Sequence, residues 1–205
     1  YGYRAIDTAS LYMNEEEVGE AVRNSGVARD EIFITTKVWN ADQGYDNTLK
    51  AFEQSLQKLG LDYVDLYLTH WPKPQLVDTY KAIERLYEEK LIRVPGVSNH
   101  HEHHLQQIFA EANVLPMVNQ IECHPSLSQD ALRAFCAEHN IAVTAWAPLG
   151  TGIVFTHPVV KQLAEKYSKT PAQIVLRWHL EIGNIVIPKS ITPERIVENL
   201  AIFDF

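Results

Sequence analysis

The sequence predicts an α/β fold of parallel strands joined by crossover helices, closed into a barrel in preference to an open sheet. Three observations predict it. Short runs rich in β-branched and aromatic residues fall at 3–6, 32–36, 63–69, 93–97, 117–121, 141–146 and 185–188, which reads as seven strands. Between them the apolar residues recur at helical spacing, as in Leu49, Phe52, Leu56 and Leu59, then Ile83, Leu86 and Tyr87, then Leu105, Ile108 and Phe109. Continuous apolar strands alternating with helices suit a barrel and a doubly wound sheet equally well. The third observation separates them. No G-x-G-x-x-G follows any strand, Gly150-Thr-Gly152 lacks a third glycine, and there is no Walker-type phosphate loop, so the barrel is preferred.

Helix starts carry their own chemistry. Asn14 precedes Glu15, Glu16 and Glu17, Thr170 precedes Pro171, and Thr192 precedes Pro193 and Glu194. These patterns predict N-caps, first-turn prolines and carboxylates matched to the helix dipole. The 205 residues, 46% hydrophobic and 21% charged, predict a single domain with one sizeable core. A net charge of -8 argues against a nucleic-acid backbone partner, whose binding is driven by Lys and Arg. Two cysteines, Cys123 and Cys136, are too few for a disulfide framework, and no membrane-length apolar run occurs, so a reducing cytoplasm and no membrane partner are expected. The first residues, from Tyr3, already read as strand interior and the last follow directly on a helix, so the domain is expected to be incomplete at both ends.

Four polar residues stand just past or at the end of strand-like runs: Asp7 and Tyr12 in Ile-Asp-Thr-Ala-Ser-Leu-Tyr, Lys37 in Ile-Thr-Thr-Lys, and His70 in Leu-Thr-His-Trp-Pro. In a parallel barrel the carboxyl ends of different strands converge on the face that carries chemistry. Reducing a carbonyl leaves charge on oxygen, so the site needs a proton donor, a hydrogen bond to hold the oxygen and a dry pocket. Tyr12 suits the donor role if a nearby ammonium lowers its ordinary pKa of about 10. Lys37 fits as that ammonium, Asp7 as the ion-pair partner holding it, and His70 as the hydrogen bond to the oxygen.

A second group lies later in the chain. Lys189 and Ser190 precede the helix that Thr192 and Pro193 open, and Arg195 falls in its first turn. Two cations, a hydroxyl and a positive helix end in one place suit a phosphate. The histidines His100, His101, His103 and His104 include helix-face spacings, but two imidazoles on one face lack the third ligand and outer shell of a metal site. No metal is predicted. Cys123 beside His124 is not read as a nucleophile pair, because strand neighbours point to opposite faces.

On Asp-Thr-Ala-x-x-Tyr, Thr-Thr-Lys and His-Trp-Pro the chain resembles the aldo-keto reductase superfamily across nearly all its length. Residues 39–45 and 101–105 look most like its branch of 2,5-diketo-gluconate reductases, methylglyoxal reductases and prostaglandin F synthases. The resemblance implies a (β/α)8 barrel that uses NADPH/NADP+ on a small-molecule carbonyl substrate, as a monomer, with Asp7, Tyr12, Lys37 and His70 as the catalytic tetrad. It further implies that Ser98, Asn99 and Gln120 bind the nicotinamide carboxamide and that Trp146 stacks on its ring, with Pro148, Leu149 and Gly150 alongside. Lys189, Ser190 and Arg195 then form the 2′-phosphate pocket, Glu198 and Asn199 lie near the adenine, and Trp39 and Trp71 wall the substrate. Pro95 departs from the family pattern; a proline in a central strand removes a ladder donor, which predicts a local irregularity or reduced stability there. Two other classes remain open at this point: a non-catalytic NADPH-binding regulatory or structural protein on the same scaffold, and a metal-dependent hydrolase.

Overall fold

The computed structural model describes residues 1–205, which divide into two compact units, Arg4–Asn119 and Tyr1–Tyr3 with Gln120–Phe205. In the first unit β1 (Ala5–Asp7), β2 (Phe33–Val38), β3 (Val64–Thr69) and β4 (Ile92–Ser98) pair side by side in chain order, all parallel. The crossovers are α1 (Glu15–Asn24), α2 (Tyr45–Leu59) and α3 (Leu76–Glu88), and α4 (Glu102–Phe109) follows β4. Every residue of β3 is buried, as expected of a strand covered on both faces. Leu66 and Leu68 pack with Val118 and Val94, while Tyr67, of opposite parity, meets Phe52 of α2 with ring centroids 4.8 Å apart. Helix α1 approaches α2 closely at Gly19, where a Cβ would come within 1.9 Å of the Leu59 carbonyl oxygen. Only glycine fits at that crossing.

The boundary between the units falls within β5 (Val118–Glu122). In the second unit α5 (Asp130–Glu138), β6 (Ala142–Trp146), α6 (Pro158–Tyr167), α7 (Pro171–Glu181), β7 (Ile185–Val186) and α8 (Pro193–Leu200) follow. The Cys123 N–H donates to the Trp146 carbonyl at 3.3 Å, and β6 and β7 are parallel. The core here is Val154, Val160, Ala164, Ile174 and Val175. All seven expected strands are present, β7 shortened to two residues.

Three local expectations need correction. Pro95 does not break β4: the register runs Leu66↔Val94, Tyr67↔Pro95, Leu68↔Gly96 without a slip. Proline withdraws one donor only, and its carbonyl still accepts from the Met117 N–H at 2.9 Å. Asn14 makes no side-chain cap, because its Oδ1 accepts the Thr8 hydroxyl at 2.6 Å instead. Thr192 likewise makes none; its own N–H donates to Ser190 Oγ at 3.1 Å. At Thr170 the expected cap forms in full, with Gln173 N–H donating to Thr170 Oγ1 and the Thr170 N–H to Gln173 Oε1. This is a capping box.

Candidate active site

The carboxyl ends of the first three strands gather the four expected residues. Asp7 ends β1, Lys37 is the penultimate residue of β2, His70 follows β3, and Tyr12 closes the single 3-10 turn Ser10–Tyr12 that leaves β1. That turn is tied to β2 by the Ser10 hydroxyl, which donates to the Lys37 carbonyl at 3.0 Å. The Lys37 ammonium is wholly buried; it donates to Asp7 Oδ1 and, at 2.9 Å, to the Thr8 carbonyl. A buried lysine needs such partners, since an uncompensated ammonium there costs several kcal/mol. Its Nζ lies 5.0 Å from the centre of the Tyr12 ring. The His70 ring stands edge-on to Tyr12 at 5.8 Å and to Trp39 at 5.1 Å. Behind it Asn99, in a left-handed conformation (φ 63), donates to the His70 carbonyl at 2.9 Å and to Ser98 Oγ at 3.1 Å.

The electrostatics differ from expectation at one residue. The ammonium was expected to lower the Tyr12 phenol; instead burial, and then the Asp7 carboxylate, push it up. The phenol therefore rests protonated, the state a proton donor needs. Burial pulls the Lys37 pKa down against the opposing effect of Asp7. Burial, followed by the Lys37 charge, depresses His70 to about 4, so its imidazole is neutral at physiological pH. Its Nδ1 is buried without a hydrogen-bond partner.

Burial also holds His100 down at about 3 and His179 at about 4. An unfolded histidine titrates near 6.5, so between about pH 6.5 and 3 the unfolded chain takes up protons that the folded one refuses. Folding stability is therefore full above that window and lost as pH falls through it. Urea unfolding should show a lower midpoint at pH 5 than at pH 7; equal midpoints would contradict the buried neutral imidazoles.

The remaining expected residues fall as follows. Trp39 joins the cluster, whereas Trp71 is 40% exposed, with its carbonyl accepting from Gln43 Nε2 at 2.7 Å. Ser98 and Asn99 belong to the first unit. In the second unit a cavity of about 680 Å³ brings Pro148, Leu149, Lys189, Ser190, Arg195, Glu198 and Asn199 together. Gln120, Trp146 and Gly150 are not among its lining residues. Its size is that of a cofactor or ligand pocket. Thr151, Gly152 and Phe155 also line it; the signal was the Gly150-Thr-Gly152 stretch, set aside for its missing third glycine. All three residues of that stretch have positive φ, a bend that strings of L residues seldom make. No ion pair engages Lys189 or Arg195, and Glu198 Oε1 accepts the Thr170 hydroxyl at 2.5 Å. Two uncommitted cations, a hydroxyl and apolar walls suit a phosphorylated planar cofactor.

Elsewhere, the four histidines pack around the start of α4, with His101 N–H donating to His104 Nδ1 at 3.2 Å. Cys123 is buried, its thiol pushed up by burial. Neither group resembles a reactive centre. No helix is long and apolar enough to cross a membrane.

Comparison with known proteins agrees with this geometry. The model of the aldo/keto reductase family matches residues 1–205. The chain is 53% identical over 208 residues to the 9,11-endoperoxide prostaglandin H2 reductase of Trypanosoma cruzi, covering all of this chain and 74% of that protein. It is 54% identical over 205 residues to the glyoxal reductase of Bacillus subtilis, covering 100% and 74%. Among solved structures, a Gox0644 mutant in complex with NADPH superimposes with a TM-score of 0.95 at 49% identity, covering 100% of this chain and 75% of that one. A strand-end cluster suited to carbonyl reduction, a pocket suited to a phosphorylated cofactor and a family match over every residue lead to one conclusion: this chain belongs to the aldo/keto reductase family of oxidoreductases.

Proposed function

We propose that this protein reduces small aldehydes and 2-oxoaldehydes to alcohols with NADPH, using Tyr12 as the proton donor. The observation that carries this reading is the buried Lys37–Asp7 pair lying 5.0 Å from the Tyr12 ring, with neutral His70 at its edge. When bound, NADPH supplies the hydride that adds to the carbonyl carbon. Tyr12 gives its phenolic proton to the carbonyl oxygen, which balances the reduction and leaves the alcohol. The Lys37 ammonium then stabilises the transient phenolate, and Tyr12, 48% exposed, regains its proton from solvent. A neutral His70 hydrogen-bonds the carbonyl oxygen through its one N–H and orients it. Asp7 holds the ammonium in place, and Trp39, with Trp71, offers the substrate an apolar aromatic wall.

For the cofactor, Lys189, Ser190 and Arg195 take the 2′-phosphate and Glu198 and Asn199 the adenine side. Pro148, Leu149 and Gly150 flank it, while Ser98, Asn99, Gln120 and Trp146 take the nicotinamide. The lining of the 680 Å³ cavity supports the part of this reading that concerns Pro148, Leu149, Lys189, Ser190, Arg195, Glu198 and Asn199. Small aldehydes as substrates are supported by the named activity of the 54% identical glyoxal reductase. The eight-stranded (β/α)8 barrel of a single domain is also our reading, supported by the seven strands and the structural likeness. So are a monomeric state and a reducing cytoplasm, in which Cys123 and Cys136 stay free thiols.

The test is NADPH consumption with glyoxal or methylglyoxal, and the absence of turnover with either despite tight NADPH binding would favour a non-catalytic binding protein. Replacing Arg195 with Ala should weaken NADPH by about 10- to 100-fold, the worth of a charged hydrogen bond. NADH, which lacks the 2′-phosphate, should change little. Equal weakening of both would refute the phosphate pocket.

A further inference from the structure

We infer that His179, outside every role described so far, is a positioning residue for the cofactor cavity: it locks the Pro148–Leu149 wall through a hydrogen-bond chain of fixed direction. The inference rests on the reading of that cavity as the NADPH pocket. His179 lies in the last turns of α7 and is wholly buried. Its Nε2 is 3.1 Å from the Pro148 carbonyl oxygen, and its Nδ1 is 3.2 Å from Asn184 Nδ2.

The direction of the chain follows from what each group can do. Arg133 has only donors, and its Nε donates to Asn184 Oδ1 at 3.2 Å, which sets which way the Asn184 amide faces. Asn184 Nδ2 is then a donor, spending one hydrogen on Cys123 Sγ at 3.4 Å and the other on His179 Nδ1. Nδ1 must therefore be the bare nitrogen. The single proton of a neutral imidazole is left on Nε2, where it donates to Pro148 O. Arg133 is itself anchored, donating to the Ile182 carbonyl at 2.7 Å and to Asp130 Oδ1 at 3.1 Å. Arg133, Asn184 and His179 thus form one polarised line from the start of α5 to the wall of the cavity.

The wall needs such a hold. Ala147, immediately before it, has φ 46, a left-handed and strained conformation for a residue with a Cβ. Pro148 has no N–H, so its carbonyl is its only main-chain hydrogen-bonding group. Gly150, next along, also turns left-handed, with its N–H on Ala147 O at 2.8 Å. A bend this strained persists when surrounding bonds over-determine it, and the His179 Nε2–H is the side-chain donor reaching Pro148.

The test compares His179→Leu and His179→Gln with wild type for NADPH dissociation constant, kcat at saturating NADPH, and circular dichroism. His179→Leu should raise the NADPH dissociation constant tenfold or more, with kcat kept within about threefold. His179→Gln, which can still donate to Pro148, should recover most of the affinity. An unchanged dissociation constant in a folded His179→Leu overturns the role of His179, and if Arg195→Ala still loses NADPH the pocket reading stands. Loss of kcat and affinity together in both variants also overturns it. Should His179→Leu fail to fold, the long-range 1H–15N spectrum of wild-type histidines decides: the Nε2–H tautomer for His179 supports the chain, and the Nδ1–H tautomer overturns it. Wild type that binds no NADPH refutes the pocket reading itself.

Discussion

Replacing Lys37 with Met is expected to lower the turnover of carbonyl reduction by at least about a hundredfold, and to cost on the order of 3–5 kcal/mol of stability, the usual penalty for breaking a buried ion pair. The two losses have separate causes. Turnover falls because the phenolate formed when Tyr12 gives up its proton would lie beside the Asp7 carboxylate with no ammonium to offset it. Stability falls because Asp7, with a side chain only 14% exposed, loses the partner that compensates its desolvation. Methionine is one heavy atom shorter but keeps an unbranched apolar stem, so most of the fully buried site stays filled. Denaturant unfolding and steady-state kinetics on the same preparation separate the effects. A variant with near-normal turnover would show that the ammonium is only structural.

Replacing Tyr12 with Phe is expected to reduce kcat by about 10²–10⁴-fold, the range for losing a positioned general acid. Its effect on stability should be small, because the side chain is half exposed and the ring is retained. The ring contacts with His70 and Lys37 involve the aromatic face and edge and survive in phenylalanine. The loss should therefore fall on kcat, with NADPH affinity held near wild type. A large rise in the NADPH dissociation constant would instead mark Tyr12 as a binding residue.

Much of this site was legible in the chain because each element writes its own signature locally. Asp7, Lys37 and His70 follow runs whose apolar content declares a strand, and strand ends are where a parallel fold gathers function. Lys189, Ser190 and Arg195 were legible for a similar reason: Pro193 marks a helix start that fixes their spacing. What was not legible depends on distances across the fold. The direction of the Tyr12 shift turns on the burial of the phenol and then on the nearby Asp7 carboxylate, which no spacing in the chain reveals. The cap at Asn14 was lost to a competing partner, the Thr8 hydroxyl, and Thr192 makes none. Phe155 and Thr151 entered the cavity through consecutive positive-φ residues, a backbone path with no apolar period to betray it. At Pro95 one donor is missing, yet the register on both sides of it holds, so no irregularity forms.

The central claim is that the Tyr12 phenol, beside a lysine held by Asp7, delivers the proton in carbonyl reduction. Its most direct test is a single-turnover experiment in which wild type and Tyr12→Phe are each saturated with NADPH, mixed with methylglyoxal, and followed by loss of the reduced-nicotinamide absorbance. Rapid decay in wild type and decay slower by about 10²-fold or more in Tyr12→Phe, at matched NADPH occupancy, is the predicted result. Equal decay in the two proteins would contradict it.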